Sequence, residues 1–177
     1  MTHLDEDLLR RRLPVNDWPE ADREAWLAAL APGDLLEGTM GAAHHWSEDT
    51  RDKQRKAYGR WLTSRIAAGT FDHTAPPAAR ITRDAVRSYL SELQSQVAPW
   101  TVLGYIAGLH AVAMAFAPDD DWGWLRRIVR KLEATVRDSR DKHSRLRPAS
   151  EILACAIARM QAIERNPPER DVATAYR

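Results

Sequence analysis

Ser47-Glu48-Asp49-Thr50-Arg51-Asp52-Lys53-Gln54-Arg55-Lys56-Ala57-Tyr58-Gly59-Arg60-Trp61-Leu62-Thr63-Ser64-Arg65-Ile66-Ala67-Ala68-Gly69 is the stretch on which the fold turns. Ser47 carries the side-chain oxygen of an N-cap, and Glu48 and Asp49 suit the positive end of a helix. Gly69 supplies the C-terminal stop. At about 100° per residue, Tyr58, Trp61, Leu62 and Ile66 form an apolar stripe, with Lys53, Lys56 and Arg60 roughly opposite. The pattern predicts a helix anchored in a core by its back, turning three cations outward. Arg51 and Arg55 flank the apolar side near its start.

Helical periodicity continues on both sides, and no stretch alternates convincingly with period two, so the expected class is all-α. Upstream, Asn16 or Asp17 is a candidate cap for a first helix, with Pro19 in its opening turn and Trp26, Leu27 and Leu30 on one face; Pro32-Gly33 ends it. Downstream, a loop holding Pro76-Pro77 leads to Thr82, the cap of a third helix. Ile81 and Val86 sit at the staple positions, and Val86, Tyr89, Leu90 and Leu93 supply its core face.

A fourth helix, from about Trp100 to Phe116, is apolar on most sides through Val102, Leu103, Ile106, Leu109, Ala113 and Met114. That composition places it at the centre of a bundle, and Gly104, Gly108, Ala111 and Ala115 give it a side where a neighbour can approach closely. Asp120 or Asp121 caps a fifth helix carrying Leu125, Ile128, Val129 and Leu132 inward. Residues 138–147 hold a single apolar residue and read as a linker, and a further helix is expected over about 149–165 before Asn166-Pro167-Pro168.

The 177 residues have a net charge of only +1, so total charge alone does not announce a polyanion binder; its distribution is more informative. Residues 1–37 hold nine acids against four bases, and residues 123–147 hold nine bases against three acids. Basic clusters set where a polyanion can sit. Cys155 is the only cysteine, which excludes an intramolecular disulfide, and its apolar surroundings suggest a buried thiol. The Arg10-Arg11-Arg12 run is followed by no apolar signal core, and no apolar run reads as long enough to span a bilayer. The expectation is a soluble, cytoplasmic protein.

The chemistry these residues suggest is electrostatic. Lys53, Lys56 and Arg60 form one candidate phosphate-binding row; a solvated helix face is the competing explanation. Arg137, Arg140, Lys142, His143, Arg145 and Arg147 form a second, in a segment able to follow a DNA backbone, although basic linkers also occur without DNA. Trp100, beside Pro99, is a candidate for contact with a DNA sugar or base. His44-His45 lacks partners at ligand spacing, Asp119-Asp120-Asp121 reads as a cap with acidic neighbours, and no glycine-rich phosphate loop occurs. No metal, cofactor, membrane or small-molecule substrate is expected.

The order of His45-Trp46-Ser47-Glu48-Asp49-Thr50, Ile81-Thr82, Ala98-Pro99-Trp100-Thr101 and Ala117-Pro118 leading into Trp122-Gly123-Trp124-Leu125 resembles the N-terminal core-binding domain of tyrosine recombinases of the phage-integrase type. The resemblance covers roughly residues 44–165; Asp17-Trp18-Pro19-Glu20 to Leu30 also resembles the N-terminal extension of a bacterial integrase subgroup. It implies a SAM-like orthogonal bundle of four to five helices, with an N-terminal helical extension and one or two further helices after a basic linker. The implied division is 1–40 extension, 41–137 DNA clamp, 138–147 linker and 148–177 the start of a catalytic domain.

By the same resemblance the partner is double-stranded DNA, with other recombinase protomers as further partners. Thr50, Lys53, Lys56 and Arg60 would meet one groove wall, and Thr101, Tyr105 and His110 would lie on a second DNA-facing helix. Many members carry arginines near those last two positions and a serine at position 107, where this chain has Ala107. The family's catalytic arginines, lysine, histidines and tyrosine nucleophile do not fit in the thirty residues after 147, and Tyr176 is assigned no chemistry. The expectation is therefore a truncated chain that is not itself an enzyme. The alternative expectation is a helical interaction or dimerisation module derived from a recombinase, whose acidic N-terminal part could cover the basic face.

Overall fold

The computed structural model describes residues 12–34, 36–138 and 147–165, except for the side chains of 137 and 138. Among these the chain is all-α, with no strand. Its helices are α1 (Glu20–Leu30), α2 (Glu48–Ala67), α3 (Arg83–Gln96), α4 (Pro99–Phe116), α5 (Gly123–Asp138) and α6 (Ala149–Arg165), with short 3-10 turns at Val15–Asp17 and Ala78–Arg80. One compact unit ends at Asp138, and the described part of a second covers residues 147–165.

Local chemistry sets most boundaries. The Ser47 side chain accepts from the Thr50 amide at 3.3 Å, and that of Thr82 from the Ala85 amide at 3.2 Å. Gly69 closes α2 with a φ of 64°. Asp121 Oδ1 accepts from the Gly123 amide at 2.8 Å where α5 begins. One expected cap is corrected. Asn16 and Asp17 lie in the 3-10 turn, and Pro19 is the N-cap of α1. A residue preceding proline is pushed out of the helical region, and Trp18 is accordingly extended, so no helix could run through from Asn16.

α4 is the central element and packs against α1, α2, α3 and α5. By length and mean hydropathy, 1.3, it is apolar enough to cross a membrane, which corrects the expectation that no run is. Here its Ile106, Leu109, Val112 and Ala113 are fully buried among the other helices. Tyr58, Trp61, Leu62, Val86, Tyr89, Leu93 and Leu125 complete the same core. Three residues assigned inward from periodicity, Leu27, Ile66 and Met114, instead lie at the surface. Neighbouring segments cover each of them only in part.

The N-terminal segment is built into this core. Trp18 packs edge to face on Trp26 and Tyr58, with ring centroids 5.6 and 5.1 Å apart, and Tyr58 meets Phe116 at 5.1 Å. The division between 1–40 and 41–137 therefore does not separate two cores. Leu13 runs along α2, its amide 3.1 Å from the Thr63 hydroxyl, where Gly59 has no side chain to block it. α6 spans the range expected for it, but Ile152, Leu153, Ile157, Met160 and Ile163 are all exposed. Cys155 is exposed as well, which corrects its reading as a buried thiol: the described part of its unit has no second element to cover it.

Candidate nucleic-acid interface

The close approach of α2 and α4 creates the site. A Cβ added to Gly108 would overlap the Ala57 Cβ, so the two backbones meet where neither residue brings bulk. A Cβ at Gly104, one turn earlier, would meet nothing within 4 Å. The helices thus touch at 57 and 108 and leave a groove of about 440 Å³ beside them. Lys53, Gln54 and Lys56 line it from α2, and Thr101 and Tyr105 from α4. Arg12 adds a third cation from the segment that runs over α2.

The cations are in different states. Lys53 is exposed and makes no ion pair among the described residues. Lys56 pairs with Asp52, which also accepts from Arg55 at 2.7 Å. The hydrogen bonds from Lys56 and then Arg55 hold the Asp52 carboxyl below its ordinary range. Thr101 is exposed and Tyr105 half-buried. Ammonium and guanidinium groups beside hydroxyl and amide donors form a set that contacts phosphate oxygens without reading bases.

Two predicted site residues are placed elsewhere. Arg60 does lie on the Lys53–Lys56 stripe of α2, but it is 3% exposed. Its guanidinium donates to Gln96 and lies 3.5 Å from Glu92, both on α3. The stripe leaves solvent and passes beneath α3 before it reaches position 60. His110 is nine residues from Thr101, which at about 100° each places it on the opposite side of α4. It lies half-buried facing α5, where burial, and then the nearby Arg126 charge, lowers its pKa.

Thr50 and Trp100 do not line the groove. Thr50 is half-buried at the start of α2, its hydroxyl 3.0 Å from that of Ser47. Trp100 is 43% exposed at the first turn of α4. Arg140, Lys142 and Arg145 fall outside the described residues, as does the Arg137 side chain. Arg147 is exposed and lies 3.7 Å from Glu151 in the second unit. Arg12 and Gln54 are groove residues that the sequence reading does not name; the signal for Arg12 is the three-arginine run at 10–12.

No family model, curated protein or solved structure matches the chain significantly.

Proposed function

We propose that this chain is the DNA-binding part of an integrase-like, site-specific tyrosine recombinase. A SAM-like orthogonal bundle would grip one recombination half-site of double-stranded DNA in the cytoplasm, with no strand cleavage assigned to the chain itself. One observation carries the reading: Lys53 and Lys56 of α2 and Thr101 and Tyr105 of α4 converge on a single groove, with Arg12 at its rim. The resemblance selects the same two helices as DNA-facing. Cations with hydroxyl donors between them suit a sugar–phosphate strand, and release of condensed counterions would drive its binding.

The test is fluorescence anisotropy on duplex DNA across a salt series. Log affinity is expected to fall linearly with log salt. The Lys53→Ala/Lys56→Ala variant should lose affinity and flatten that slope by roughly 1.8, at about 0.9 per phosphate contact. Binding unaltered by this double change rejects the groove as the DNA site.

The exposed apolar residues of α6 favour a second reading, a helical interaction or dimerisation module. Light scattering that shows a stable dimer, lost on Ile157→Asp, would support it.

A further inference from the structure

A second groove, between α3 and α5, shares no residue with the first. Its two rims are cationic: Arg83 and Arg87 stand one turn apart on α3, Arg127 and Lys131 one turn apart on α5. Its floor is apolar, formed by Val86, Leu90, Trp124 and Ile128, and the space between is about 370 Å³. The Arg83 guanidinium lies over the Trp124 ring, 5.5 Å from its centroid. Arg87 pairs with Asp84, and among the described residues Arg83, Arg127 and Lys131 have no carboxylate partner.

Two cationic rails over a greasy floor call for a ligand with carboxylates at its edges and apolar side chains between them. A phosphate strand would answer the rails and leave the floor in contact with water, so an acidic peptide is the better chemical match. The chain encodes one. Leu4-Asp5-Glu6-Asp7-Leu8-Leu9 carries three consecutive carboxylates and three leucines. These equal in number the three cations without a carboxylate, and the leucines match the floor.

We propose that the α3–α5 groove receives the chain's own acidic Leu4–Leu9 segment, which lies outside the described residues. The apolar side chains enter the floor and the carboxylates meet Arg83, Arg127 and Lys131.

Site-directed photocrosslinking of the full chain tests this. Leu8 is replaced by p-benzoylphenylalanine, the protein is irradiated, and adducts are mapped by peptide mass spectrometry. The expected adducts fall on Leu90, Trp124 or Ile128, with a yield that drops as salt is raised. Arg127→Glu/Lys131→Glu, a pair of exposed positions, should cut the yield several-fold with the circular-dichroism melt preserved. Adding Asp5→Lys/Glu6→Lys should restore it. Mixing isotope-labelled and unlabelled chains separates capture within one chain from capture between two, and either result supports the proposal. Adducts confined to other surfaces, the α2–α4 groove included, overturn it. So does a yield indifferent to charge reversal.

Discussion

The Tyr58 hydroxyl donates to the Asp22 carboxylate at 2.5 Å, and both side chains are fully cut off from solvent. Asp22 comes from α1 and Tyr58 from α2. The other Asp22 oxygen is held by Arg80, from the turn before α3, and the Arg80 guanidinium stacks on Phe71 at 4.4 Å. Three segments distant in sequence are locked at one point. Burial first, and the Asp22 charge second, push the Tyr58 hydroxyl well above its ordinary pKa.

Asp22→Ala strands a buried guanidinium and a buried hydroxyl. The expected loss is about 3–5 kcal/mol. Tyr58→Phe removes one donor and should cost about 1–3 kcal/mol. Urea unfolding checks both. The midpoint should fall with its slope unchanged, since the loss is of native stability and not of compactness. An Asp22→Ala midpoint equal to wild type would remove the clamp from the account.

Arg60 and Lys53 share a stripe but should respond oppositely. Arg60→Ala breaks a buried pair with α3 and is expected to cost about 3 kcal/mol while leaving the salt slope of DNA binding alone. Lys53→Ala should change stability by less than about 0.5 kcal/mol and reduce the slope. Paired melts and anisotropy titrations separate the two effects.

His110 links stability to pH. Its pKa is lowered in the fold by burial and by Arg126, so the unfolded chain binds its proton more readily. Its contribution is complete above the unfolded value, about 6.5, and is lost as pH falls through the lower folded value. Thermal melts should therefore decline as pH falls below about 6.5, and His110→Gln should flatten that decline. An equal decline in the variant would assign the effect to other groups.

Glycines 104 and 108 lie one turn apart on α4 and should diverge on substitution. Gly108→Ala drives a methyl into Ala57 and is expected to cost about 1–3 kcal/mol by overpacking. Gly104→Ala meets open space and should gain up to about 1 kcal/mol from helix propensity. Chemical denaturation of the two variants measures the difference in sign.

Helix order was largely legible because capping and stopping are local. Ser47, Thr82 and Gly69 act within a few residues of themselves, and each works where sequence places it. The central position of α4 was legible too, since a helix apolar on most sides has to be covered on most sides. Within the candidate site, Thr101 and Tyr105 rested on the family resemblance alone, and only the outward pair Lys53–Lys56 followed from the period of a helix. That these four share one groove did not, because no wheel records which helices cross.

Sequence by itself determined the all-α class, the starts and stops of most helices, and the row that carries Lys53, Lys56 and Arg60. Tertiary structure alone decided that Arg60 turns inward, that Arg12 reaches the groove, and that Asp22 is buried between a tyrosine and an arginine. The physical reason is range. Hydrogen bonds at helix ends and the 3.6-residue repeat act between near neighbours, whereas burial is set by whichever distant segment comes to lie across a face.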